Sequence, residues 1–443
     1  MRVYVTGVGM VSPLGIGAEH NWQRILNGET NIQAIPEHWH DYIDFISKYY
    51  SPIPDINFKD HSFTRNEILQ KDKVSLFSNL ASQEAFHDAG IELELIDKKT
   101  NQYSLVNINN EKAGVSYGTG GGGADSYISN TAYQKLSRIK KQLAALVPES
   151  NPVDIKLRTP RNYNPFTLTR VLCHSVGASN SLKFNIKGVV RTTAQACSSG
   201  TTAIGVGYEM IKNGLSDIVL TGGAENCDDD YGCGFYSFDV AKTLVVSDNQ
   251  DPAVMNRPFD KKRNGFLFSP GGAGSLILES EAHMENRAAT PIAEVLGFAE
   301  TFDAHSIMAP EPEGKQIERM MTLAIRNAEL SEHEIDYINA HGTSTIANDQ
   351  IEADAIIRVF GNDVAVNSTK SIIGHTTGAS GAIEAIVSAL SIRDQELHPS
   401  LNLENPIADL DFVTERRNQK IDHVLSHSFA FGGHNSGIIL GKV

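Results

Sequence analysis

"TTAQACSSGTTAIGVGYEMIKNG", residues 192–214, sets a cysteine where an apolar run breaks into small residues just before a helical pattern. Residues 189–196 are β-branched and small and read as a buried strand, while Ala203, Ile204, Val206, Met210 and Ile211 recur at helical spacing. Cys197 therefore falls at a strand-to-helix turn. A helix N-terminus presents unpaired N–H groups and the positive end of the macrodipole, and both favour thiolate over thiol. Two readings stand side by side: a nucleophile, or a buried and inert thiol.

Composition narrows the field. A chain of 443 residues, at about 150 per domain, suggests two or three units. Its 38 basic and 53 acidic residues leave a net charge of −15, which opposes binding to nucleic acid or an anionic membrane. An acidic partner would then need a local basic patch, either "RIKKQ" (Arg138, Lys140, Lys141) or "KKR" (Lys261, Lys262, Arg263). The 4 cysteines, at 173, 197, 227 and 233, are too few and too uneven for a disulfide framework, which suits a reducing cytoplasm. The start "MRVYVTGVGMVSPLG" breaks into glycines and a proline before a signal-like core is complete. No run approaches the ~20 apolar residues of a membrane span.

Short β-rich runs alternate with helical patterns along the chain: "RVYVTGVG", "AGVSYGTG", "DIVLTGGA", "GSLILES", "IAEVLGFA", "YINAHGT", "VAVNSTK" and "SGIILGKV". This alternation predicts an α/β protein with a largely parallel sheet covered on both faces. Its two parts echo each other. "AGVSYGTGGG" resembles "DYINAHGTST", and "ACSSGTTAIGVGYEM" resembles "GHTTGASGAIEAIVSAL". Such self-similarity predicts a duplication with its junction near 282–288, hence halves 1–285 and 286–443. The polar, proline-bearing stretch 27–72 reads as a surface insertion.

Two histidines in the second half bear on Cys197. His341 in "NAHGTST" lies just beyond a strand, and His375 in "SIIGHTTGASG" lies in a glycine-flanked turn before a helix. Loops at the carboxyl ends of strands are where open α/β sheets bind ligands. Either imidazole alone is as readily structural as catalytic; three reactive side chains in small-residue turns point to one cleft. "GTGGGG", residues 118–123, also fits a dinucleotide-binding turn. No acidic residue stands between Asp125 and Glu149, where a ribose ligand belongs, so a packing turn or pocket wall is preferred. Cys227 and Cys233 beside Asp228, Asp229 and Asp230 have a poor zinc spacing and read as structural.

Together, "TTAQACSSGTTAIG", "NAHGTSTIANDQIEAD", "NSTKSIIGHTTGASGAIEA", "RPFDKKRNGF" and "SFAFGGHNSG" resemble the β-ketoacyl-[acyl carrier protein] synthases of type II fatty acid synthesis, in order and over nearly the whole chain. "YGTGGGG" and the run from "GGAEN" to "AKTL" resemble synthase I more than synthase II. The resemblance implies a thiolase-like fold of two duplicated halves in αβαβα layers, and a dimer. It also implies Cys197 as acyl-accepting nucleophile, His341 and His375 as the decarboxylating pair, Lys370 as the active-site lysine and Glu384 as the carboxylate behind it. Phe431 matches the gating phenylalanine, whose N–H with that of Cys197 forms the oxyanion hole. Thr343 and Thr345 match contacts of the phosphopantetheine arm, and Gly121 a position on the acyl channel.

The implied activity is decarboxylative condensation of malonyl carrier protein with an acyl group held on Cys197, without metal or nucleotide cofactor, with acyl carrier protein as partner. The alternative is a specialised polyketide or aryl-polyene ketosynthase, a heterodimer with a non-catalytic chain-length factor. A thiolase would need a late second cysteine, and none follows Cys233. Departures from the family pattern are Gln195, His427 where Asn is common, Ala430 and His434.

Overall fold

Every residue of β1 (Val3–Ser12) is buried, which calls for cover on both faces of its sheet. The computed structural model, which describes residues 1–146, 163–246 and 251–443, supplies that cover. The first half contributes β1, β2 (Gly15–Ile16), β3 (Ala113–Gly118), β4 (Val190–Thr193), β5 (Ile218–Asn226) and β6 (Gly271–Ser280). The second contributes β7 (Ala293–Phe302), β8 (Tyr337–Asn339), β9 (Ala365–Asn367), β10 (Asp411–Phe412), β11 (His423–Ala430) and β12 (His434–Gly441).

The 12 strands form one sheet in the order β10-β9-β8-β11-β12-β7-β1-β6-β5-β3-β4, with β2 on β1. From the join outward, the first half runs β1-β6-β5-β3-β4, with two antiparallel pairings followed by two parallel ones. The second half runs β7-β12-β11-β8-β9 with the same sequence of senses. β1 and β7 join the halves through Tyr4↔Glu294 and Val5↔Ala293. The expected largely parallel sheet is therefore mixed. In each half the last strand lies antiparallel between the first strand and the parallel trio, a placement that strand–helix alternation does not encode.

Helices sort into layers by their burial. α1 (Lys73–Asp88) covers β1, β6 and β5 from outside, and α3 (Lys315–Asn327) covers β7 and β12. α3 buries Ile317, Met320, Met321, Ala324 and Ile325, the one-sided stripe of an outer helix. α2 (Ser199–Lys212) and α5 (Ser380–Asp394) pack on each other between the two half-sheets. From Ser380 to Ile392 every residue of α5 is buried, as a helix covered all round must be. α4 (Ile346–Phe360) adds to the second outer layer. The result is the αβαβα, thiolase-like arrangement.

One device recurs in both halves. The β1–β6 register shifts between Val5 and Gly7, and the β7–β12 register shifts between Val295 and Gly297. A Cβ at Gly7 would lie 2.3 Å from the Ala85 carbonyl oxygen of α1, and one at Gly297 would lie 2.7 Å from that of Ala324 on α3. Each outer helix thus sits on a bare glycine.

Three readings change. The 189–196 strand is half-exposed at the sheet edge as β4, with Val190 39 % exposed. The 27–72 stretch is not merely surface: Ile35, Trp39, Phe45 and Tyr50 are buried against Phe235, Phe266 and Phe268. The aromatics of this otherwise polar stretch form a core of their own. The strand β11 has no clear signal in the sequence, because histidines and serines interrupt its apolar pattern.

Near the join, the Glu279 carboxylate accepts hydrogen bonds from Thr6, His283 and Arg287, with Arg287 Nε at 2.7 Å. Burial alone would raise its pKa, but the bonds from Arg287, His283 and Thr6 overcome that and hold it at about 2, against 4.5 when unfolded. A depressed carboxylate contributes stability that is present above the unfolded value and lost as pH falls through the folded one. Glu279→Gln is therefore expected to cost roughly 3 kcal/mol at pH 7, with the gap closing between about pH 4.5 and 2. Denaturant midpoints of both proteins across that range are the check; a gap that persists at pH 2 contradicts it.

Candidate active site

The turn that carries Cys197 is strained. Ala196 has φ 47°, followed by a 3-10 turn over Ala196–Ser198 and then α2. The second half repeats it: Thr377 has φ 51°, a 3-10 turn spans Thr377–Ala379, and α5 follows. Gly378 thus corresponds to Cys197. A Cβ at Gly378 would lie 2.4 Å from the Gly120 nitrogen and 2.7 Å from a Glu225 oxygen, so only the first turn has room for a side chain.

Both histidines reach that turn from the second half. His375 Nε2 lies 3.1 Å from Cys197 Sγ. The His341 ring stands edge-on to that of His375, with centroids 5.5 Å apart at 89°. All three face one cavity of about 1100 Å³, counted with its open mouth, which Thr343, Thr345 and Phe431 also line. Thr343 and Thr345 hydroxyls lie 2.9 Å apart on the approach.

Burial first, and the nearby Lys370 charge second, lower both imidazoles well below the usual histidine range, so both are neutral at pH 7. Burial also pushes the Cys197 thiol up to about 12, against the pull of Lys370. This corrects the expectation from the helix N-terminus: the resting group is a thiol, because desolvation in the closed turn outweighs the dipole. Lys370 Nζ and Glu384 Oε1 form a buried pair at 2.5 Å, behind the histidines and off the cavity wall. Burial raises the Glu384 carboxyl, and Lys370 opposes it.

His375 has partners for either neutral tautomer. Its Nδ1 lies 3.0 Å from Ser380 Oγ, which can accept a hydrogen bond, and 3.3 Å from the Thr377 nitrogen, whose N–H can donate one. His341 differs, since its Nδ1 is buried without a partner among the described residues.

Gly121 does not line the cavity. Its amide and that of Gly120 donate to Glu225 Oε2, at 3.2 and 2.6 Å. The glycine turn thus cradles the protein's own carboxylate where a dinucleotide turn would hold phosphate. Burial raises that carboxyl to about 7, against the amides that bind it. Arg263 leaves the proposed docking cluster: it is 7 % exposed, and its guanidinium donates to Asp260, Thr345 and Ile346 carbonyls. All four cysteines are unpaired thiols. No group of three metal-ligating side chains occurs among the described residues, and none of their helices is long and apolar enough to cross a membrane.

Several residues of the site went unread in the sequence. At the mouth, Asn435 Nδ2 donates to Asp303 Oδ1 at 2.6 Å, and the Gly432 N–H donates to the Ile307 carbonyl at 2.8 Å. Residues 303–310 have no periodicity to mark them. Phe266 sets its edge on the His375 ring at 5.2 Å. Glu352 accepts from the His341 and Gly342 N–H groups at 2.7 and 2.8 Å. Its spacing, eleven residues past His341 in the first turns of a helix, was the available signal.

The profile "Beta-ketoacyl synthase, N-terminal domain" matches residues 1–284, and "Beta-ketoacyl synthase, C-terminal domain" matches residues 292–404. The chain is 33% identical over 448 residues to "3-oxoacyl-[acyl-carrier-protein] synthase 2" of Coxiella burnetii, covering 100% of this chain and 99% of that one. That full-length likeness is to a protein named synthase 2, whereas the local runs pointed to synthase I. The crystal structure of a beta-ketoacyl synthase from Burkholderia phymatum STM815 superposes with TM-score 0.82 at 29% identity, covering 100% of this chain and 99% of that one. A second structure, AntDE:AntF, a type II PKS acyl-carrier protein in complex with its ketosynthase bound to the hexaketide, gives TM-score 0.81 at 27% identity with the same coverage. With both halves matched, an α/β layered fold and a thiol meeting two neutral imidazoles in one cavity, the chain belongs to the β-ketoacyl synthase family and is an acyltransferase of the condensing type.

Proposed function

We propose that the chain is a 3-oxoacyl-[acyl carrier protein] synthase in which Cys197, His341, His375, Lys370, Glu384 and Phe431 carry the chemistry, and Thr343 and Thr345 hold the phosphopantetheine arm. The observation that carries this reading is the Sγ–Nε2 distance of 3.1 Å, with the second imidazole edge-on at the same cavity.

In the first half-reaction His375, with Nδ1–H donating to Ser380, takes the thiol proton at Nε2 as Sγ attacks the acyl thioester. The proton passes to the departing carrier thiolate. In the second, His375 takes its other neutral tautomer, with Nδ1 accepting from the Thr377 N–H, and joins His341 in presenting Nε2–H to the malonyl thioester oxygen; the C–C bond to CO2 breaks, and the enolate negative charge rests on that oxygen. The enolate carbon attacks the acyl carbonyl, the N–H groups of Cys197 and Phe431 take the tetrahedral oxyanion, and its collapse expels Cys197 as a thiolate, which takes one proton from solvent to restore the resting thiol. Lys370, balanced by Glu384, lowers the cost of a thiolate and keeps both imidazoles neutral. The thioester arm arrives with the substrate, so the chemistry calls for no resident cofactor.

Further parts of the reading are a division into 1–285 and 286–443, supported by the repeated strand order, and a cytoplasmic setting, supported by four unpaired thiols. Among the described residues β4 has no neighbour on its outer side, and its Val190 is exposed, as is Leu182 on the helix packed against it, which supports pairing with a second copy. For the acidic carrier, exposed Lys242 at the cavity mouth, Arg138 with Lys141, and Lys261 with Lys262 remain as basic contacts. Raising salt to about 1 M, where charges are screened beyond roughly 3 Å, is expected to raise KM for carrier-bound substrate several-fold and leave KM for a small thioester unchanged. Equal KM values at both salts would overturn the electrostatic docking.

A further inference from the structure

Catalytic imidazoles are usually oriented through a hydrogen bond at the ring nitrogen that faces away from substrate. His375 has such a bond, and His341 has none among the described residues. Two other supports hold His341. The Glu352 carboxylate clamps its backbone, accepting the N–H groups of residues 341 and 342. The Phe429 ring packs on its imidazole, centroids 5.5 Å apart at 63°.

One side chain touches both supports. His427 Nε2 lies 2.6 Å from Glu352 Oε1 with both side chains fully buried, and its ring stacks on Phe429 at 4.9 Å and 20°. Among the described residues Glu352 otherwise has only Asn348 Nδ2, at 2.9 Å, beyond the two amides it clamps. The first half has no such group at the matching position. There Gly222 occupies the matching strand position, paired with Ser275 as His427 is with Gly437, and a Cβ at Gly222 would lie 1.9 Å from a backbone oxygen.

We propose that His427 is a positioning residue for His341: it holds Glu352 against the 341–342 backbone and Phe429 against the ring, so that Nε2–H of His341 points into the cavity. The proposal rests on the functional reading above. Because His341 serves the enolate and not the attack of Sγ, loss of His427 slows decarboxylation and spares acyl transfer.

The test measures both half-reactions on wild type, His341→Ala, His427→Leu and His427→Gln, together with Tm. His427→Leu is expected to lower kcat for malonyl carrier protein decarboxylation by about 10–100-fold, the usual effect of removing a group that orients a catalytic ligand. Its KM and the rate of Cys197 acylation stay within about twofold. His427→Gln keeps an N–H for Glu352 without the stacked ring, so its loss should be smaller; if the leucine variant does not fold, a selective loss in the glutamine variant carries the proposal. Equal loss in both half-reactions, or decarboxylation at the wild-type rate in both variants, overturns the positioning role. A wild type that fails to decarboxylate malonyl carrier protein overturns the functional reading itself, and this proposal with it.

Discussion

Cys197→Gln is expected to abolish chain extension, by at least about a thousandfold, while malonyl carrier protein still loses CO2 to give acetyl carrier protein. The residue sits in a strained turn facing the cavity, with His375 Nε2 at 3.1 Å from its sulfur. Extension needs a sulfur that accepts an acyl group. Decarboxylation needs only an oriented thioester and N–H donors for the enolate oxygen. A glutamine amide is planar, resembles the acylated thioester in shape and leaves both imidazoles in place. Product assay beside CO2 release separates the steps. Surviving extension would remove Cys197 from the role assigned to it.

His341→Ala is expected to lower decarboxylation by on the order of 10²–10⁴-fold, with acyl-Cys197 still forming near the wild-type rate. The His341 ring meets His375 and Phe429, and no hydrogen bond joins it to Cys197. His375→Ala should impair both steps, since its Nε2 serves the sulfur as well as the enolate. Both imidazoles are held neutral by burial and by Lys370. A lowered histidine keeps its neutral form as pH falls through 6.5, so the wild-type decarboxylation rate should stay flat between about pH 7 and 6. A rate falling with a midpoint near 6.5 would place an ordinary, solvated histidine in the site instead.

Much of this site is legible in the sequence because its groups sit in short turns of small residues at element ends, where the sequence pattern changes abruptly. Cys197, His341 and His375 all stand at such breaks. The layered α/β class followed from strand–helix alternation. What stayed hidden depends on distant neighbours. Strand sense is set by where the chain returns to the sheet, so β6 and β12 read as ordinary strands and not as antiparallel insertions. Arg263 reads as part of a solvated basic run, yet three backbone carbonyls draw it inward. Gly121 reads as pocket wall, yet its amide binds Glu225, over 100 residues away in the chain. The thiol state of Cys197 reflects desolvation, which no local pattern reports.

One cavity is expected to run both half-reactions on one sulfur, and a single-turnover discharge puts this to the test. The enzyme is first loaded with an acyl group from its carrier protein, and the acylated peptide is mapped by mass spectrometry. Malonyl carrier protein is then added. The expected result is that the acyl mass resides on Cys197, disappears on addition, and yields one CO2 and one 3-oxoacyl carrier protein per acyl group lost. An acyl group on another residue, or acyl-Cys197 that persists while CO2 is released, would contradict it.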